Sequence, residues 1–199
     1  MASLVKAKEN LEARGYAVQL FPDKESAVEY LNGAIDGTSV GFGGSQTLEQ
    51  MGLFPSLGRH NTVFWHWKQN PEDARASAAN AAVYLSSVNG LAESGEIVNI
   101  DGAGNRVAST LYGHKKVYLI VGRNKLAEDY EGALWRARNI AAPRNAQRLN
   151  RKTPCAVKGD RCYDCKSPGR ICRGLVVLWG PMLDMQKIEV VIIDEELGF

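Results

Sequence analysis

Lys116-Val-Tyr-Leu-Ile-Val-Gly122-Arg-Asn-Lys125 is an uninterrupted apolar run that ends in glycine and three polar residues. Apolar character without alternation marks a strand covered on both faces, as in the middle of a parallel sheet. The run is much too short to span a membrane. Ile188 to Ile193 reads as a second strand of the same kind.

Strand and helix signals alternate on the N-terminal side. Ser3 to Arg14 places Leu4, Ala7 and Leu11 on one helical face, with Ser3 as cap and Gly15 as stop. Tyr16 to Phe21 reads as a strand, Pro22-Asp23 as turn and cap, and Lys24 to Ile35 as a helix burying Ala27, Val28, Leu31 and Ile35. Thr38-Ser-Val-Gly-Phe is a short strand that runs into Gly43-Gly44-Ser45 and a helix using Leu48 and Met51, stopped by Gly52 and Pro55. Thr62 to His66 is a further strand, and Pro71 opens an Ala-rich helix to about Ala82. Between Val83 and Ile100, Asn89-Gly90 and Ser94-Gly95 divide short strands. Beyond Lys125, the positions Tyr130, Ala133, Leu134, Ala137 and Ala141 describe an amphipathic helix ending before Pro143. The expected fold is α/β, one domain over residues 1–199 with a mostly parallel sheet and helices on both faces. A Cys-rich segment, 153–173, interrupts it as a loop insertion near the C-terminus.

The 199 residues suffice for one well-filled core, and 45% hydrophobic with 23% charged residues excludes a disordered chain or a disulfide miniprotein. The first ten residues lack the apolar stretch of a signal peptide, which points to the cytoplasm and to reduced thiols. A formal net charge of +2 conceals an uneven distribution. From Arg144 to Arg173 there are nine basic residues against Asp160 and Asp164, and all four cysteines lie within that stretch.

The cysteines, Cys155, Cys162, Cys165 and Cys172, have the spacing Cys-x6-Cys-x2-Cys-x6-Cys, with Pro154, Gly159, Pro168 and Gly169 giving backbone freedom. Four thiolates so close in sequence suit structural zinc or an iron–sulfur cluster, and the spacing does not decide between them. Either centre would carry a charge of about −2, which the surrounding basic residues complement. The plain alternative is four free thiols on a loop.

Three glycine-rich loops offer anion contacts. Gly43, Gly44, Ser45 and Thr47 combine close backbone approach with N–H and hydroxyl donors, and Glu49 follows as an acid–base candidate; a tight structural turn explains the same residues. In Asn99-Ile-Asp101-Gly-Ala-Gly104-Asn105-Arg106, Asp101 is a candidate base and Arg106 a bidentate anion clamp, against an Asx-stabilised turn. Asn124 and Lys125 follow the central strand, at the end where open α/β sheets bind ligands. His66, between Trp65 and Trp67, reads as aromatic packing, while His60 and His114 read as loop residues without a Ser-His-Asp arrangement.

Gly43-Gly-Ser-Gln-Thr-Leu-Glu-Gln-Met-Gly, Val98-Asn-Ile-Asp-Gly-Ala-Gly-Asn-Arg-Val-Ala, Gly122-Arg-Asn-Lys and Ala141-Ala-Pro-Arg-Asn-Ala-Gln-Arg-Leu resemble successive blocks of the lactate-utilisation (LUD) domain family. The tail, with Thr153-Pro-Cys, Gly159 to Cys172 and Glu196-Leu-Gly-Phe, resembles a Cys-bearing branch of it. The resemblance implies a fold similar to ribose phosphate isomerase, glucosamine phosphate deaminase and CoA transferases, whose Gly-rich strand-to-helix loop contacts an anionic substrate. It implies a role in organic-acid, lactate-type metabolism with iron–sulfur oxidoreductase partners, and leaves open whether the chain is itself an enzyme. The alternative is an isomerase or acyl transferase acting on a phosphate- or CoA-bearing substrate with structural zinc. Nucleic-acid binding by the basic Cys-rich segment ranks third, no membrane association is expected, and homo-oligomerisation is compatible with both leading readings.

Overall fold

The protein is represented by a computed structural model that describes residues 2–199. Its strands are β1 (Ala17–Phe21), β2 (Ser39–Phe42), β3 (Thr62–Phe64), β4 (Val83–Ser87), β5 (Gly90–Ala92), β6 (Ile97–Asp101), β7 (Lys116–Gly122), β8 (Leu126–Ala127), β9 (Gly174–Leu178) and β10 (Lys187–Ile193). The helices are α1 (Leu4–Ala13), α2 (Lys24–Ala34), α3 (Gln46–Gln50), α4 (Leu53–Leu57), α5 (Pro71–Ala79), α6 (Asn105–Leu111), α7 (Tyr130–Arg136), α8 (Ala142–Arg148) and α9 (Pro154–Lys158).

A six-stranded sheet in the order β1-β10-β7-β4-β2-β3 is parallel throughout. The apolar run that opens the sequence reading is β7, held between β4 and β10 and buried from Val117 to Gly122. Its residues alternate between two cores, as the strand period of two demands. Tyr118 and Ile120 join Phe42, Leu85, Val191 and Ile193 under α2, α3 and α4. Val117, Leu119 and Val121 join Tyr84, Val190 and Ile192 on the opposite face. There Leu11 of α1, Ala78 of α5, and Leu91, Ile97 and Leu178 of a second sheet complete the cover.

That second sheet has the order β8-β5-β6-β9, with β6 antiparallel to both β5 and β9. Its strand β9 follows the Cys-rich segment and returns that segment to the domain beside Asp101, since Asp101 pairs with Gly174.

The structure corrects several expected boundaries. The helix expected to end before Pro143 continues: α7 passes through a π-helical turn at Ala137–Ala141 into α8, with Ala142 N–H donating to Ala137 O. The widened turn removes the steric conflict that a proline ring meets in a regular helix, and Pro143 sits in the first turn of α8, where no N–H is needed. The helix of Leu48 and Met51 stops before Gly52 as expected, and Gly52 and Pro55 also open a further helix, α4, Gly52 at its N-cap with φ +62° and Pro55 in its first turn. The Ala-rich helix stops at Ala79, earlier than expected. His114 lies in the loop between α6 and β7, as expected, but it is buried there against Tyr84 with ring centroids 4.9 Å apart. Among the described residues no helix is long and apolar enough to cross a membrane.

Candidate anion-binding cleft and cysteine segment

A cavity of about 560 Å³ lies at the carboxyl ends of the parallel strands. Gly44 and Ser45 reach it just after β2, His66 and Trp67 just after β3, Ser87 at the end of β4, and Lys125 just after β7. The second sheet and α6 supply Asp101, Asn105 and Arg106, while α8 and the residues after it supply Arg148 and Arg151. Pro168 to Ile171 and Arg173, from the Cys-rich segment, form the remaining wall.

The electrostatics are one-sided. Arg75, Arg106, Lys125, Arg148, Arg151, Arg170 and Arg173 line the cavity against the single side-chain carboxylate of Asp101. Among the described residues only Arg106 of these forms an ion pair, with Nε 3.5 Å from Asp101 Oδ2. Arg148 instead stacks over Trp67 with its guanidinium carbon 4.5 Å from the ring centroid. A concave surface with this much uncompensated positive charge attracts anions, most strongly at low salt.

Asp101 is wholly engaged by its own loop. Oδ1 accepts from the N–H groups of Gly102 at 2.6 Å and Ala103 at 3.2 Å, and Oδ2 from those of Arg106 at 3.1 Å and Val107 at 3.3 Å. It therefore shapes the start of α6 and aims Arg106, whose Nη2 also donates to Ile100 O at 2.6 Å. Gly104 precedes α6 with φ +86°, a conformation that glycine adopts without strain.

Lys125 is buried, and its Nζ donates to Thr47 Oγ1 at 2.8 Å and Ser87 Oγ at 2.7 Å. Those hydroxyls donate onward, Thr47 to Leu197 O at 3.2 Å and Ser87 to Ile120 O at 2.5 Å. Burial, followed by the nearby charges of Arg136 and Arg106, holds the Lys125 amine well below the usual lysine range. Arg136 is drawn down to about 10 by burial and then by Arg144, so its guanidinium stays charged at neutral pH. It donates to Asn124 O and Asn89 O, both at 2.6 Å, and to Phe199 O at 3.3 Å, fixing the loops around the amine.

Of the residues singled out in the sequence, Gly44, Ser45, Asp101, Asn105, Arg106 and Lys125 come together in the cavity wall. Ser45 Oγ also caps α3 by accepting from Leu48 N–H. Gly43, Thr47, Gly104 and Asn124 stand behind the wall. A side chain on Gly43 would meet Ser86 Oγ at 2.9 Å and Arg106 Cγ at 3.0 Å, and Asn124 Oδ1 anchors Leu197 N–H at 3.1 Å. Glu49 lies outside the cavity wall, paired with Lys68 at 2.6 Å, so it is not positioned for proton exchange with a ligand in the cavity.

Sequence reasoning missed His66, Trp67, Arg75, Ser87, Arg148, Arg151, Arg170 and Arg173 as lining residues. His66 is half-buried in the wall rather than only part of an aromatic stack, and burial followed by Arg75 lowers its pKa from the ordinary value. The charge excess from Arg144 to Arg173 was the available signal. It read as compensation for sulfur, whereas four of its arginines face the cavity.

All four cysteines are half-buried and line a second cavity of about 340 Å³, together with Thr153, Arg138, Asp164 and Arg170. Cys155 lies in α9, Cys162 and Cys165 in irregular chain, and Cys172 just before β9. Cys162 Sγ accepts from Asp164 N–H at 3.3 Å, and Cys155 Sγ lies 3.3 Å from Thr153 Oγ1. The π-helical turn presents Asn139, whose Oδ1 accepts Cys162 N–H at 3.2 Å. A shared cavity and polar contacts to sulfur are compatible with a metal or cluster. Among the described residues no three His, Cys, Asp or Glu side chains converge on a metal-binding geometry. Arg170, Ile171 and Arg173 belong to the walls of both cavities, which makes this segment their common partition.

The parallel sheet, the basic cleft at its strand ends and the cysteine-bearing partition together define an α/β domain with a cavity at the carboxyl edge of its sheet. The chain belongs to the LUD domain family, whose model matches residues 4–193. Its fold is similar to the crystal structure of a DUF162 family protein from Deinococcus radiodurans, at 12% identity and a TM-score of 0.53, covering 96% of this chain and 95% of that one. No curated protein matches the chain.

Proposed function

We propose that this LUD-domain protein binds an anionic metabolite of organic-acid metabolism in the basic cleft, and that its four cysteines hold an iron–sulfur cluster or zinc on the partition. The observation that carries the proposal is the wall itself: seven basic side chains face one side-chain carboxylate, and that carboxylate is spent on backbone N–H groups. LUD family membership supports a lactate-type role, and cytosolic iron–sulfur oxidoreductases are the corresponding partners. Cys155, Cys162, Cys165 and Cys172 would hold the metal, a cluster supplying electron transfer and zinc supplying a fixed partition geometry.

The volume of the cleft favours a second reading. At about 560 Å³ it exceeds the needs of a three-carbon acid, and it carries more arginines than one carboxylate can use. A phosphate- or CoA-bearing substrate, handled by isomerase or acyl-transfer chemistry, fits that size and charge.

Thermal-shift measurements with lactate, 2-oxoglutarate, ribose 5-phosphate and acetyl-CoA test both readings. At least one should stabilise the protein, with the effect lost in Arg106→Ala. Stabilisation by none, or unchanged stabilisation in the variant, contradicts the cleft assignment. Metal analysis with an anaerobic absorption spectrum tests the centre: visible absorption indicates a cluster, colourless protein with stoichiometric zinc a structural site, and metal-free protein sinks the proposal.

A further inference from the structure

The geometry points to Lys125 as a catalytic amine that forms an imine with a carbonyl-bearing organic acid bound in the cleft. This inference rests on the anion-cleft reading and adds to it the class of substrate and the reacting atom.

Three observations converge on that amine. Lys125 is buried and belongs to the cavity wall, which places the residue beside any ligand bound there. Its hydrogen-bond partners, Thr47 and Ser87, are neutral hydroxyls, and it forms no ion pair among the described residues. The charges that act on it are the guanidiniums of Arg136 and Arg106, which oppose a third positive charge. Burial acts in the same direction, so both influences favour the neutral amine with its free lone pair. An ordinary exposed lysine, with a pKa of about 10.4, has only about 0.04% of its amine unprotonated at pH 7. A lysine used merely to hold an anion would be charged, and Arg106 and Arg148 already fill that role in the same wall.

The step is balanced within the site. The Nζ lone pair attacks the carbonyl carbon, the carbonyl π pair moves to oxygen, and a nitrogen proton passes to that oxygen to give the carbinolamine. Loss of the hydroxyl as water, with a second nitrogen proton, leaves the neutral imine. Ser87 and Thr47 hydroxyls, in hydrogen-bond contact with Nζ, are placed to relay those protons. Arg106 supplies a fixed cation in the same wall for the substrate carboxylate. Neither oxidant nor reductant is required.

Reductive trapping tests the inference. The full-length protein is incubated with pyruvate or 2-oxoglutarate and sodium cyanoborohydride near neutral pH, then digested and mapped by mass spectrometry. The expected result is one reduced adduct on the peptide containing Lys125, absent in Lys125→Met. Lactate, which carries the carboxylate without the carbonyl, should protect against it. Labelling confined to exposed lysines such as Lys6 and Lys68, with Lys125 unmodified, overturns the inference. The wild-type map decides this even if the variant fails to fold. Parallel calorimetry with lactate, pyruvate and 2-oxoglutarate separates the two levels: binding without Lys125 labelling removes the imine and leaves the cleft, whereas no binding and no labelling removes both.

Discussion

Arg170 donates from Nη1 to the carbonyl oxygen of Cys165 at 2.9 Å and belongs to the walls of both the cysteine cavity and the basic cleft. A second bond, from Nε to Cys172 O at 2.9 Å, fixes the same guanidinium to the other arm of the cysteine segment. Hydrogen bonds donated to backbone carbonyls on both cysteine arms therefore set the position of a cleft arginine. Arg170→Ala should weaken binding of the best stabilising anion about tenfold or more, since a charged hydrogen bond contributes about 1.5–3 kcal/mol. Cys165→Ser should shift the same affinity if the cysteines hold a centre, without touching the ligand. Calorimetric titration of both variants measures each effect.

Lys125→Met should leave thermal stability unchanged or raise it. The substitution removes a buried amine whose partners, Ser87 and Thr47, retain the carbonyls of Ile120 and Leu197 as acceptors. A melting temperature at or above wild type, together with lost carbonyl trapping, marks a residue kept for chemistry at the expense of stability.

Gly41→Ala should destabilise the domain by about 1–3 kcal/mol, the usual range for overpacking. A Cβ there would lie 2.5 Å from Ala78 O and 2.9 Å from Ala78 Cα, where α5 crosses β2 backbone to backbone. Chemical denaturation should show a lower midpoint with an unchanged slope.

Stability should fall as the pH drops below about 6.5. Burial pulls the His114 pKa below its ordinary value, against an opposing hydrogen bond from Nδ1 to Ala81 O at 2.7 Å. The unfolded chain thus binds a proton in a range where the folded chain does not, so stability is fully present above the unfolded pKa and declines as pH falls towards the folded one. His66 shifts in the same direction. His114→Phe, which preserves ring packing against Tyr84, should flatten the dependence of melting temperature on pH over that range.

Much of the fold was legible because its signals are local. The apolar runs of β7 and β10 announce a two-sided sheet, and Ser3, Asp23 and Pro71 mark helix starts close to where they occur. The helix through Pro143 was not legible, because the π-helical turn that accommodates the ring depends on packing around Asn139 and the cysteine segment. The second sheet was only half visible: β5 and β6 carry turn signals, whereas β9 pairs with β6 across more than seventy residues of sequence. The glycine-loop candidates Gly44, Ser45, Asp101, Asn105, Arg106 and Lys125 do meet in space. Arg75, Arg148 and Arg170 come from three distant segments that no linear pattern links. The placement of Glu49 on the outer side of α3, beside Lys68, likewise depends on where the helix packs.

The most direct test of the anion cleft is calorimetric titration of wild type and Arg106→Ala with the best stabilising anion at low and high salt. The cleft requires measurable one-to-one binding that weakens as salt rises, with a loss of about tenfold or more in the variant. Binding that ignores both salt and Arg106, or no binding by any anion tested, would contradict it.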